Sequence, residues 1–245
     1  MTGFILAGFA GLSLGLLGGG GSILTVPILV YSLSIDPKTA VAMSLAIVGF
    51  TTLFGVFAHY KNKNIDFKIA FLFGAAALPA TFLGSYVSQF ISGSVQLVIF
   101  AVIMILAATF MFKGRKEVEH KQFNLIYTII SGLVVGVMTG LIGVGGGFLI
   151  VPALMYFSGI DMKKSVGTSL FIISFNSFFG FISYIDKVSI EWTLLGKFTV
   201  CSVIGILIGS KLVQYVPQNF LKKIFAIFLV IMGVFVLYKN IEALN

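Results

Sequence analysis

Two glycine runs carry the pattern in this chain that could do chemistry. Gly18-Gly19-Gly20-Gly21-Ser22 is followed five residues later by Pro27, and Gly143-Val144-Gly145-Gly146-Gly147 stands at the same distance from Pro152. Consecutive glycines cost roughly 1 kcal/mol each in a helix interior relative to Ala, so each run breaks a helix. The half-helix that starts after a break offers unpaired N–H groups backed by the positive end of its dipole. Gly19, Gly20, Gly21 and Ser22 in one run, and Gly145, Gly146 and Gly147 in the other, present that backbone with little side chain in the way. Two such ends brought together form an anion site that needs no buried cation. The plainer alternative is that the glycines only let helices approach closely. Matched runs at matched distances from Pro favour the site.

Hydroxyl and amide groups add to this set. Ser44 and Thr51 are seven residues apart, as are Ser169 and Asn176, so each pair shares a helix face. Thr168 lies beside the second pair, and Thr52 and Ser177 lie nearby. These groups donate hydrogen bonds without bringing charge into an apolar setting. Bonding back to their own helix competes for the hydroxyls, whereas the Asn176 amide needs partners elsewhere.

Groups for other chemistries are scarce. All eight acids fall at element starts, in loops or in the tail. Lys197 lies inside an apolar element five residues past Trp192, where it can snorkel to an interface. His59, beside Tyr60 and Lys61 at an element end, reads as interfacial. No phosphate-binding loop, zinc motif, nucleophile elbow or acid pair is present, so neither an enzyme nor a cofactor is expected. Cys201 stands alone and reads as a small packing residue.

These groups sit in elements that belong in a bilayer. The 245 residues are 58% hydrophobic and 10% charged, with mean hydropathy +1.10, against about 25% charged in a soluble domain. Runs of about 18 apolar residues follow one another, which predicts an all-α polytopic membrane protein. The net charge of +8 then reads as loop Lys and Arg, and nucleic acid is not an expected partner. The N-terminus has no basic stretch and reads as the first membrane element.

A shift of 125 residues superposes 11–112 on 136–237 without a gap, with identity at about 30 positions where composition alone gives on the order of eight. Gly15/Gly140, Pro27/Pro152, Tyr31/Tyr156, Ser44/Ser169, Gly84/Gly209 and Ser85/Ser210 are among the pairs. The chain therefore divides into repeat one (1–113), a basic linker (114–122) and repeat two (123–245). Each repeat has four elements, at about 3–33, 38–60, 67–91 and 94–113, then 126–158, 163–185, 192–216 and 219–238. Asp36, Asp161, Asp66 and Glu191 stand where helix N-caps belong.

Topology turns on the Gly-broken first elements. If each crosses the membrane once, the cations divide 9 to 6 between the two sides. If each is a re-entrant hairpin, Lys61, Lys63, Lys68, four linker cations, Lys163, Lys164, Lys211, Lys222 and Lys223 share one side, against Lys38, Lys187 and Lys239 on the other. The second partition follows the positive-inside rule far better. It predicts two inverted repeats, each with a re-entrant hairpin and three spans.

The paired Gly turns before Pro, Gly167-Thr168-Ser169-Leu170, and His59-Tyr60-Lys61 leading to Asn64-Ile65-Asp66-Phe67 resemble the sulfite exporter TauE/SafE family, also known as TSUP or DUF81 transporters. The resemblance spans both repeats. It implies a bacterial or archaeal cytoplasmic-membrane permease for sulfur-containing anions such as sulfite, thiosulfate or organosulfonates, often an exporter. Ala42-Met43-Ser44-Leu45 departs from the Gly-Thr-Ser-Leu pattern, and Thr51 stands where repeat two has Asn176, so the site is expected to be asymmetric. The partners expected are a small anion and the lipid bilayer, with a homo-oligomer left open. An anion channel, or an uptake permease for another small oxyanion or carboxylate, is the competing function.

Overall fold

A computed structural model describes residues 2–88, 90–91, 93–112, 124–142, 147–182 and 188–241. The linker, and residues 143–146 with Gly145 and Gly146, lie outside them. Among the described residues the regular structure is all helical. Repeat one comprises α1 (Thr2–Leu17), α2 (Gly20–Pro27) with a π-helical turn (Ile28–Ser32), α3 (Pro37–Lys61), α4 (Phe67–Ser88) and α5 (Gly93–Phe112). Repeat two comprises α6 (Leu125–Ile142), α7 (Gly147–Phe157), α8 (Met162–Ile182), α9 (Trp192–Tyr215) and α10 (Gln218–Ile241).

Six of these helices, α3, α4, α5, α8, α9 and α10, are long and apolar enough to cross a membrane, and the pieces of the broken elements are shorter. Each broken element folds back on itself. Leu33, at the end of the first, packs on Gly3 at its start: a Cβ built on Gly3 would lie 2.9 Å from Leu33 Cδ2. In the second, the Thr128 hydroxyl near the start of α6 donates to Ser158 Oγ just past α7, at 3.1 Å. A segment whose two ends touch is a hairpin.

Local chemistry explains the boundaries. Asp36 accepts the Lys38 and Thr39 amides at the start of α3, Asp66 the Ile69 amide at α4, and Asp161 the Lys164 amide at α8. Glu191 precedes α9 without a side-chain cap bond. α1 ends where Gly18 turns to φ +73°, a backbone region that disfavours any Cβ. Pro27, which lacks an N–H, is followed at once by the wider π turn.

The helix contacts run mainly between repeats. α1 lies along α9, and α6 along α4. A Cβ on Gly205 would overlap the Gly8 carbonyl, and one on Gly209 the Leu12 carbonyl, so α1 and α9 run parallel at backbone contact. Gly132 against Phe73 and Gly136 against Ala77 do the same for α6 and α4. The second spans, α3 and α8, cross antiparallel: Gly55 packs on Leu170 and Gly180 on Leu45. Each hairpin also reaches the last helix of the other repeat. Tyr31 packs edge-on against Phe235, with ring centroids 6.2 Å apart, and the Tyr156 hydroxyl donates to the Phe110 carbonyl. These two contacts are related by the 125-residue shift. Phe71, Phe82, Phe110, Val200 and Ile231 are exposed, as a lipid-facing perimeter requires.

Candidate functional site

The two glycine breaks meet at the centre of the fold. Gly19, at the turn from α1 into α2, lies so close to the start of α7 that a Cβ on it would overlap the Gly147 carbonyl and crowd the Phe148 amide. Only glycine allows that approach. The amino ends of α2 and α7 are therefore neighbours, and the first amides of each helix have no intrahelical partner. Gly20 packs on Leu17 and Phe228, and Gly21 packs back on α1 at Ala10 and Leu14.

The α8 face opposite these turns is continuous. Ser169 Oγ lies 2.5 Å from where a Gly18 Cβ would stand, and Ile173 Cδ1 lies 2.6 Å from a Gly147 Cβ. Asn176 continues the same face at the next helical step. Ser169, Ile173 and Asn176 thus run along the paired turns, and Ser44, Val48 and Thr51 hold the equivalent positions on α3. All of these except Ile173 and Val48 are polar, and all are buried.

The hydrogen bonds sort the expected ligands. Ser22 donates to the Gly19 carbonyl at 2.7 Å and Ser169 to the Val166 carbonyl at 2.8 Å. Each bonds to its own chain and keeps lone pairs free, and Thr52 likewise bonds back to Val48. Thr51 Oγ1, Asn176 Oδ1 and Ser177 Oγ, by contrast, are buried and have no partner. An unpaired buried polar group costs about 1–3 kcal/mol, and three lie near the α3–α8 crossing. A flip of the Asn176 amide presents its two N–H donors to the same point.

Thr168 is engaged elsewhere. Its hydroxyl accepts the Asp66 amide at 3.0 Å, which ties α8 to the loop between α3 and α4. Gly167 beside it leaves room for the Asn64 carbonyl. The two sequence motifs 59–67 and 167–170 are therefore in mutual contact.

One expectation is overturned. His59 is not interfacial: its side chain is 0% exposed, with Nε2 3.4 Å from the Gly15 carbonyl and Nδ1 unpartnered. α1, α8 and the loop after α3 enclose it. Ser210 Oγ on α9 is also buried and unpartnered. Position along a helix gave no sign of either. The repeat identity of Ser85 with Ser210 and the glycine one turn before His59 were the available signals. Lys197 is exposed beside the exposed Trp192 end of α9.

A groove of about 900 Å³ lies elsewhere, between α5, α6 and α7, walled by residues such as Phe110, Met138, Leu149 and Phe157. Its lining carries no charged side chain, which makes it unsuited to a desolvated oxyanion.

Comparison with known proteins agrees with the architecture. A family model described as "Sulfite exporter TauE/SafE" matches residues 3–236. A "probable membrane transporter protein" of Xylella fastidiosa is 28% identical over 95% of this chain and 93% of its own length. A "probable membrane transporter protein YdhB" of Bacillus subtilis is 31% identical over 89% and 91%, and one from Methanocaldococcus jannaschii is 32% identical over 95% and 94%. No solved structure matches. With its model matched over nearly the whole length, this multi-pass membrane protein belongs to the sulfite exporter TauE/SafE family of membrane transporters.

Proposed function

We propose that the protein is a secondary transporter, working as an exporter, for a small sulfur-containing anion such as sulfite, thiosulfate or an organosulfonate. The anion binds at the paired half-helix N-termini. Its ligands are backbone amides of Gly19, Gly20, Gly21 and Ser22 from one hairpin and of Gly145, Gly146 and Gly147 from the other. Ser44, Thr51, Ser169 and Asn176 complete the shell, and Thr168 positions the α8 face. The observation that carries this reading is the backbone contact of Gly19 with Gly147 and Phe148, which sets two amide-rich helix ends side by side in a buried region with few charged groups.

Inverted repeats in the cytoplasmic membrane follow from the same reading. Its support is that each broken element closes as a hairpin, that α3 and α8 cross antiparallel, and that the positive-inside partition then places most of the cations together. Single crossings by the first elements would make α3 and α8 parallel. Rocking of one hairpin unit against the other gives alternating access. The tight closure of Gly19 on Gly147 favours such a carrier over a continuous pore.

Counterflow of labelled sulfite and 2-hydroxyethanesulfonate in proteoliposomes tests this. Gly19→Val is expected to lower flux at least tenfold. Gly196→Val, where a Cβ meets nothing within 4 Å, is expected to retain it. Unchanged flux in Gly19→Val would sink the site. Absence of flux for both probes in the wild-type protein would sink the substrate class.

A further inference from the structure

His59 and Ser210 converge on the carboxyl end of α1, one turn before the first glycine break. In that last turn the Gly18 amide donates to the Leu14 carbonyl at 2.8 Å. The next carbonyl, Gly15, faces His59 Nε2 at 3.4 Å. A carbonyl only accepts, so Nε2 carries the hydrogen and Nδ1 is left as a bare lone pair. On the other flank, a Cβ on Gly15 would lie 2.7 Å from the Ser210 amide nitrogen. α3 and α9 meet in register here. Gly55 packs on Ile206, with a built Cβ 2.6 Å from its Cδ1, and one turn further along each helix stand His59 and Ser210. Both side chains are essentially unexposed, and His59 Nδ1 and Ser210 Oγ lack partners.

We propose that His59, with Ser210 on the facing turn of α9, is a proton-binding site that couples anion transport by this protein to proton movement. This rests on the transport function proposed above and adds the coupling ion. A helix cap would need Nε2 alone, and a bare buried Nδ1, with a bare buried hydroxyl on the other flank of Gly15, is what a purely structural role leaves unexplained. The proton adds to the Nδ1 lone pair and gives an imidazolium. Nε2–H keeps the Gly15 carbonyl, and the new Nδ1–H donates to Ser210 Oγ.

The positive charge then sits at the carboxyl end of α1, where the helix dipole favours a cation. Gly18 lies three residues on, about 4.5 Å of helix rise. A proton at His59 therefore attracts an anion held at the turn, and by linkage the anion raises the affinity of His59 for the proton to the same degree. One proton and one monoanion cross as an electrically neutral pair.

No other titratable group is placed to do this among the described residues. α1 contributes none. Lys61 and Lys63 near the end of α3, Lys164 on α8 and Lys211 on α9 are exposed, and Lys163 donates to the Gln214 carbonyl. Asp66 in the loop caps α4 through the Ile69 amide.

The probe is 2-hydroxyethanesulfonate, which stays ionised, so any proton measured belongs to the protein. Calorimetric titration in buffers of different ionisation enthalpy counts protons taken up on binding, and flux is driven by a pH gradient with the voltage clamped. Wild type is expected to take up close to one proton per sulfonate and to accumulate it at least threefold against its gradient. His59→Gln is expected to bind and exchange it at a reduced rate, with no linked proton and no accumulation. Ser210→Ala adds no atom and removes only the hydroxyl that the proposal makes the acceptor of the protonated Nδ1. It is expected to move the midpoint of proton uptake to lower pH and guards against a His59 variant that fails to fold. Sulfonate flux without proton uptake in wild type overturns the coupling and leaves the transport function standing. Coupled accumulation by His59→Gln, or an unmoved midpoint in Ser210→Ala, overturns the assignment to these residues. Absence of both binding and flux in wild type overturns the substrate class, and the coupling with it.

Discussion

The two repeats share a skeleton and differ in their polar equipment. Packing contacts come in related pairs: Gly136 on Ala77 answers Gly11 on Ser202, and Tyr156 at Phe110 answers Tyr31 at Phe235. Polar contacts recur only in part: the Asp36 and Asp161 caps are related, but others are not. The loop 64–66 is pinned to α8 through Gly167 and Thr168, while the related positions on α3 are Ala42 and Met43, and Glu191 makes no side-chain cap bond. Thr51 stands where repeat two has Asn176, and His59 where it has Tyr184. A carrier that interconverts two related shapes needs the same backbone approach in both halves, because helices close only where both surfaces are small. It does not need the same ligands. The asymmetry lies in the side chains that bind and hold.

The largest expected effect breaks the shared skeleton. Gly205 lets α9 touch α1, and a Cβ there overlaps the Gly8 carbonyl and lies 2.7 Å from the Leu12 amide. Gly205→Leu is expected to destabilise the protein by about 3 kcal/mol or more, because backbone cannot yield as a side-chain tip can. Gly196→Leu on the same helix faces open space and should stay within about 0.5 kcal/mol of wild type. Thermal unfolding in detergent compares them. The counterpart of Gly205 is Ala80, which already carries a Cβ against Gly136. Equal losses from Gly205→Leu and Gly196→Leu would remove the case for backbone contact.

Most of the skeleton is legible in the sequence, because its causes are local or periodic. The 125-residue repeat, the breaks at Gly18–Gly19 and before Gly147, and the Asp36, Asp66 and Asp161 caps all depend on a residue and its near neighbours. Hairpin closure is legible through the distribution of Lys and Arg and through half-helices too short to span a bilayer. The site is half legible. Glycine runs announce free amides, and seven-residue spacing places Ser169 with Asn176. Which hydroxyls are free is a tertiary fact: Ser22 and Ser169 bond to their own chain, Thr168 to a loop amide more than a hundred residues earlier, and Thr51 to nothing. His59 was misjudged for the same reason. Its place near the end of a span suits an interface, and it is buried by α1, α8 and the loop after α3 together.

A smaller effect separates the ligands of the two halves. Thr51 and Asn176 hold equivalent positions and are both unpartnered, so removing either polar group should not destabilise the empty protein and should weaken anion binding. Asn176→Leu is expected to raise the half-saturation concentration for sulfonate flux about tenfold, or 1.4 kcal/mol. Thr51→Val, which loses one hydroxyl, is expected to raise it about threefold. Loss of stability without change in half-saturation would make both residues structural, and equal shifts would make the site symmetric.

The smallest expected effect lies where only one repeat has a contact at all. Thr168→Val keeps the shape of the side chain and removes the acceptor of the Asp66 amide. That amide is half-buried and can recover part of its hydrogen bonding from water, so the cost should fall near the low end of the range for an orphaned donor, about 1 kcal/mol. The loop carrying Asp66 also covers His59, and loosening it should raise hydrogen exchange at 62–66 without disturbing the glycine turns. The related position in repeat one is Met43, which has no side-chain acceptor for a loop amide, so Thr168→Val should leave exchange at 189–191 unchanged. Exchange measured by mass spectrometry distinguishes the two. If Thr168→Val leaves 62–66 as protected as in wild type, the loop is held by Gly167 and Asn64 packing alone, and this polar tie between the repeats drops out of the asymmetry.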